Sequence, residues 1–220
     1  MKKYDTGDLR NLAVVGHGAS GKTTLVDIIL GLLDPKQGSI KVDSIKINQD
    51  NSQSWQRKLG YVPQSIFLLD DTIKRNIAFS ASGNQINDER IIEVAKMANL
   101  HQYITTLSDG YNSKVGERGV RLSGGQIQRI GIARALYNNP EVLILDEATS
   151  ALDSVTENVV MEAIHNLSNK KTIIMIAHRL STIKECDVIY FLDKGKIADS
   201  GSYNELIKSN QKFKEMSNML

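Results

Sequence analysis

Residues 11–15 form a short apolar run closed by glycines, and residues 22–33 carry apolar side chains at helical spacing until Asp34 and Pro35. That pattern predicts a strand, a glycine-rich loop and a helix. From 38 to 63 the runs shorten and alternate, at 39–42, 45–47 and 59–62, which predicts small antiparallel strands between polar turns. Residues 71–137 read as mostly helical, with Asn87 as a cap and Ile91, Ile92, Ala95 and Ala98 along one face.

The register then changes. Residues 141–145 and 171–177 are β-branched, nearly continuous apolar runs, the pattern of strands buried on both faces of a parallel sheet. Between them Ser154 and Glu157 have capping-box spacing ahead of Val155, Val159, Ala163 and Leu167, so a helix joins the two strands as a βαβ unit. Residues 188–192 and 196–198, turning at Lys194 and Gly195, predict a hairpin, followed by two short helices. The expected fold class is α/β, a mostly parallel sheet with a small antiparallel portion and a helical insertion.

Composition narrows the function. The 27 Lys plus Arg against 25 Asp plus Glu give a net charge of +2, which argues against a nucleic-acid binder held by bulk charge. One cysteine excludes an internal disulfide and a thiolate-rich zinc cluster. No apolar run approaches the roughly 20 residues of a membrane span, and the N-terminus has no secretory pattern. The uneven component is glycine, bunched at Gly16, Gly18 and Gly21, then at Gly116, Gly119, Gly124 and Gly125.

The first bunch, Gly16-His17-Gly18-Ala19-Ser20-Gly21-Lys22-Thr23, matches G-x-x-x-x-G-K-S/T between a predicted strand and helix. Inward N–H groups and the helix N-terminus would surround phosphate oxygens, with Lys22 on the β and γ phosphates and the Thr23 hydroxyl on Mg²⁺. The plainer reading is a glycine turn before an ordinary helix. A second constellation is the strand 142–145 running into Asp146 and Glu147. Carboxylates at the C-terminal end of such a strand suit a Mg²⁺ partner (Asp146) and a group that orients or deprotonates water (Glu147), although an acidic helix cap has the same pattern. A third is Leu122-Ser123-Gly124-Gly125-Gln126 ahead of a predicted helix, either an anion-binding N-terminus or a simple cap.

Together, LSGGQIQRIGIARAL, VLILDEATSALD and IAHRLSTI resemble the signature motif, Walker B with D-loop, and switch-histidine segment of ATP-binding cassette (ABC) proteins, over roughly residues 22–210. Gln64 in GYVPQ is similar to that family's Q-loop glutamine, and residues 115–119 to the extra motif of exporters; residues 64–79 are most similar to flippases of lipid-linked oligosaccharides. The resemblance implies a P-loop NTPase fold in a single ATPase domain over 1–220, with 1–70 and 138–220 as its core and 71–137 as a helical subdomain. It implies ATP and Mg²⁺ as cofactors. Gly16, Gly18, Ala19, Ser20, Gly21, Lys22, Thr23 and Thr24 would bind phosphates. Thr23, Gln64 and Asp146 would serve the metal. Glu147 would be the catalytic carboxylate, assisted by Lys22, Gln64 and His178. Ser123, Gly125 and Gln126 would complete the site of a second subunit, and Asp153 would cross the same interface. The implied partners are a second nucleotide-binding domain and a transmembrane exporter domain, at the cytoplasmic side of the membrane. A lone histidine after a strand is more often structural, but His178 at the end of 172–177, beside the strand ending in Asp146, favours the catalytic reading, and Cys186 reads as a small buried side chain.

The start departs from that pattern. Only residues 1–15 precede Gly16, where the family carries further strands and an aromatic residue that stacks on adenine; Tyr4 is too close to serve. The expectation is a smaller antiparallel portion and weakened nucleotide binding. Residues 8–24 resemble the opening of elongation factor G-type GTPases, but no Asp-x-x-Gly or Asn-Lys-x-Asp follows. The alternatives to a working ATPase are a nucleotide-binding remnant or chimera, and a translational-type GTPase.

Overall fold

In the computed structural model of the chain the described residues are 11–16, 20–81, 85–149, 152–168, 170–177 and 179–218. Their centre is a six-stranded sheet: β1 (Asn11–Gly16), β4 (Leu59–Val62), β5 (Val142–Asp146), β6 (Thr172–Ala177), β7 (Val188–Asp193) and β8 (Lys196–Gly201), in the order β4-β5-β6-β1-β7-β8. All neighbouring pairs are parallel except the edge pair β7–β8. The β7–β8 turn has φ of 51° at Lys194 and 74° at Gly195, the two left-handed positions of a tight hairpin turn. Smaller and separate, β2 (Lys41–Val42) pairs antiparallel with β3 (Ile45–Lys46).

Strand alternation sorts the apolar side chains into two layers. Val14, Ile144, Ile176 and Leu192 pack with Val26 and Leu30 of the segment that begins as helix α1 (Lys22–Ile29). Ala13, Val15, Leu143, Leu145, Ile173 and Met175 face the larger core. That core is roofed by α3 (Ile73–Ile77), α4 (Asp88–Met97), α5 (His101–Thr105), α6 (Gly124–Tyr137) and α7 (Ser154–Ser168). Helix α8 (Tyr203–Ser209) and α9 (Gln211–Asn218) close the end beyond β8, with Phe213 packed edge-on against Phe191 and Tyr203. Cys186 is buried, and burial pushes its thiol up to about 12.

Four local expectations need correction. Residues 59–62 are not part of the antiparallel portion: β4 joins the main sheet, parallel to β5. A four-residue run is too short to declare its partner; that comes from the core it fills. Helix α1 ends at Ile29 rather than at residue 33, because Gly31 turns left-handed at φ 69°. The short helix α2 (Ser52–Gln56), absent from the sequence reading, caps that end: Trp55 Nε1 donates to the Ile29 carbonyl at 2.7 Å and Gln56 Nε2 to that of Leu30 at 3.1 Å. On α4, Asn87 caps as expected, its side chain accepting from the Arg90 N–H, but Ile92 is 37% exposed and Val94 takes its place in the core. The cap of α7 is Asp153, whose Oδ1 accepts from the N–H of Val155 and of Thr156; Glu157 is drawn instead into a 2.6 Å ion pair with Arg179.

Candidate functional site

The register brings the chemistry to one rim. Val15 lies opposite Ala177, Asp146 opposite Ile176 and Val62 opposite Leu145, so β1, β6, β5 and β4 all finish at the same level. Open α/β sheets bind ligands at this end of their strands. Gly16 closes β1 so tightly that a Cβ there would sit 2.3 Å from the Leu192 carbonyl oxygen, which requires glycine.

Lys22 opens α1 with its side chain buried and its Nζ donating to the Gly16 carbonyl at 2.7 Å. Burial lowers the ammonium pKa, opposed by the nearby charges of Glu147 and Asp146. The Ser20 hydroxyl is buried and has no hydrogen-bond partner among the described residues. An unpartnered buried donor beside a lysine and a helix N-terminus lacks the acceptors a phosphate supplies. Thr23 and Thr24 are exposed at the same helix start. Gly18, Ala19 and His178 lie outside the described residues.

Across β6, the half-buried Asp146 ends β5, its carboxyl raised chiefly by burial and lowered in part by a hydrogen bond from Tyr61. Glu147 follows in a left-handed conformation at φ 51°, its N–H donating to the Ile176 carbonyl at 2.9 Å. A non-glycine residue held there carries strain of order 1–2 kcal/mol, which the surrounding sheet overrides to aim the side chain. Gln64, just past β4, donates from Nε2 to Glu147 Oε2 at 2.8 Å. The fold thus brings Lys22, Asp146, Glu147 and Gln64 together. Among the described residues no cluster of three or more His, Cys, Asp or Glu side chains could hold a metal alone. One carboxylate, a hydroxyl and an amide do fit Mg²⁺, which takes few protein ligands and completes its shell with substrate phosphates and water.

The second glycine bunch is built differently. Ser123 and Gln126 form a full capping box, Ser123 N donating to Gln126 Oε1 at 2.8 Å and Gln126 N to Ser123 Oγ at 3.3 Å. Ser123 and Gly124 are exposed. Gly125 is buried, and a Cβ on it would sit 1.9 Å from Thr156 Cγ2. The Thr156 hydroxyl in turn donates to Asp153 Oδ2 at 2.7 Å. Gly125 and Asp153, far apart in sequence, therefore share one packed unit through Thr156. Among the described residues no hydrogen bond or salt bridge joins the Ser123 turn to residues 20–24. Sequence reasoning missed Tyr61 and Arg179. The second bonds both Glu157 and the Leu152 carbonyl, tying the end of β6 to the loop before α7; neither contact has a short-range signal.

The phosphate-loop sequence motif after the first strand, with a carboxylate pair two strands away at the same rim, fits a P-loop NTPase fold. The family model described as ABC transporter matches residues 6–150. The Nostoc sp. protein named "Heterocyst differentiation ATP-binding protein HepA" is 46% identical over 204 residues, which is 93% of this chain and 33% of that protein. "ABC transporter B family member 16" of Arabidopsis thaliana is 46% identical over 198 residues, 90% of this chain and 16% of that protein. "P-glycoprotein 14" of Caenorhabditis elegans is 42% identical over 203 residues, 92% of this chain and 15% of that protein. A solved structure of a bacterial Atm1-family ABC exporter with ATP bound superposes with a TM-score of 0.86 at 38% identity, covering 96% of this chain and 37% of that one. This chain belongs to the ABC transporter family, as a nucleotide-binding domain of the exporter type. It spans between 15% and 33% of the length of those three relatives, and no helix among its described residues is long and apolar enough to cross a membrane.

Proposed function

We propose that the chain binds Mg²⁺ and ATP and hydrolyses ATP to ADP and phosphate, as one ATPase domain in which residues 71–137 form a helical arm. The carrying observation is the convergence of Gln64, Glu147, Asp146 and Lys22 at one rim, with Gln64 directly bonded to Glu147 at 2.8 Å. Lys22, Ser20 and the loop from Gly16 through Thr24, with Gly18, Ala19 and Gly21, hold the phosphates. Thr23, Asp146 and Gln64 hold Mg²⁺, which when bound neutralises charge on the phosphates. Glu147 takes the proton of the attacking water and Gln64 fixes its carboxylate. His178 contacts the γ-phosphate.

The exposed Ser123 turn, with Gly125 and Gln126, faces the ATP of a second copy or homologous domain. A γ-phosphate bridging two such surfaces couples closure to ATP, and hydrolysis removes the bridge. Relatives whose names describe exporters and B-family transporters support a transmembrane partner, on the cytoplasmic side of a membrane. The test is Glu147→Gln. Turnover is expected to fall by roughly 1,000-fold while ATP binding persists and a nucleotide-dependent dimer accumulates in sedimentation. Unchanged turnover would overturn the role of Glu147, and a preference for GTP over ATP in competition would overturn the substrate.

A further inference from the structure

The two carboxylates at the C-terminal end of β5 are each held by a side chain from β4 or the residues just past it. Gln64 takes Glu147. Tyr61, within β4, donates its hydroxyl to Oδ2 of Asp146 at 3.3 Å. The register explains the reach. Tyr61 pairs with Ile144, and Ile144 and Asp146 lie on the same face of β5 because side chains alternate. A residue diagonally two positions along the partner strand is within reach of an aromatic side chain and out of reach of a short one. Ile144 belongs to the layer beneath α1, so this is the face of the sheet on which the phosphate loop continues into its helix.

Packing does not account for the residue. Tyr61 is 37% exposed, and a leucine or valine would continue β4 equally well. What a tyrosine adds is a hydroxyl at the height of the carboxylate. A carboxylate on a strand end can rotate, and a hydrogen bond to one oxygen fixes its plane and leaves the other to a ligand. Outer groups of this kind orient the side chains that bind a metal and tune its affinity.

We propose that Tyr61 is a positioning residue for the divalent cation: its hydroxyl holds Asp146 Oδ2, so that the carboxylate meets the cation in one orientation. The proposal rests on the reading of Asp146 as the cation's carboxylate. With Gln64 on Glu147, it makes the end of β4 a splint for both acidic side chains, one serving the metal and one the water.

The experiment titrates Mn²⁺ into the whole chain with a non-hydrolysable ATP analogue, following free Mn²⁺ by electron paramagnetic resonance. The unaltered protein is compared with Tyr61→Phe, Tyr61→Leu and Asp146→Asn, each checked by its melting temperature. Asp146→Asn and Tyr61→Phe should both weaken Mn²⁺ binding, Tyr61→Phe by about 10-fold and without changing its analogue affinity in the absence of metal. Tyr61→Leu should match Tyr61→Phe, because the hydroxyl and not the ring carries the effect. If Asp146→Asn weakens Mn²⁺ binding and Tyr61→Phe leaves it intact, the positioning role is overturned while the reading of Asp146 stands. If Asp146→Asn leaves it intact, both fall together. A Tyr61→Leu much weaker than Tyr61→Phe would assign the effect to packing and overturn the proposal.

Discussion

Two glycine-rich turns begin helices in this protein, and they are finished in opposite ways. At the start of α1 the cap residue is Gly21 in a left-handed conformation with no side-chain cap, Lys22 is buried and the Ser20 hydroxyl has no partner among the described residues. At the start of α6 a local cap is supplied: Ser123 and Gln126 cap one another, and Gly125 is pressed against Thr156. Buried polar groups left unpaired cost stability unless something arrives to pair them. Under the proposed function the first turn is a receptor, whose buried Ser20 hydroxyl a phosphate would pair. The second is a finished surface, capped by its own side chains, whose exposed Ser123 and Gly124 present the helix N-terminus outward. The same residue type does two jobs: Gly16 lets backbone approach backbone, and Gly125 lets helix approach helix.

The largest expected break in this contrast is Lys22→Ala. Losing the charged donor from the receptor turn should weaken ATP binding by roughly 100-fold, the scale of a hydrogen bond to a charged group, read by calorimetry; Ser123→Ala, at the finished turn, should leave the isolated chain's affinity unchanged. Equal losses from both would dissolve the distinction.

Gly125→Ala probes the other side. The added methyl must displace Thr156, so the chain should lose about 1–2 kcal/mol in urea unfolding, overpacking outweighing the gain in helix propensity. Thr156→Ser removes the methyl it would strike and should restore most of that loss. Stability unchanged by Gly125→Ala would mean the contact yields freely.

The smallest effect concerns pH. Asp153 is held below the usual carboxylate range, chiefly by the Thr156 N–H and then by its hydroxyl. A depressed folded-state pKa contributes stability that is present above the ordinary carboxylate value and lost as pH falls through the folded one. Thermal midpoints of the unaltered chain and Asp153→Asn should therefore converge as the solution is acidified below that range. Because Asp153 is exposed, the difference at neutral pH should be small. Parallel curves at all pH values would remove Asp153 from the finished turn's support.

Much of this arrangement is legible in the chain. The phosphate loop, the carboxylate pair at the end of β5, the βαβ unit through α7 and the caps at Asn87 and Ser123 are local signals, each carried by adjacent residues or by a fixed period. Two of the misreadings share one cause. Residues 59–62 are apolar and short, and nothing in four residues says whether the neighbour is a hairpin partner or β5, some eighty positions away. With that strand misplaced, Tyr61 could not be seen beside Asp146. Glu157 has the spacing of a cap but folds toward Arg179, a choice made by what lies across the loop.

The sequence by itself determined most of the elements, the phosphate-loop motif and the place of the carboxylate pair at a strand end, because backbone sterics, capping and periodicity act over a few residues. The tertiary structure decided which strands adjoin and which side chains meet: Gln64 with Glu147, Tyr61 with Asp146, and Gly125 with Asp153 through Thr156. Those pairings follow from burying two apolar faces of one sheet at once, a condition that only the whole chain can satisfy.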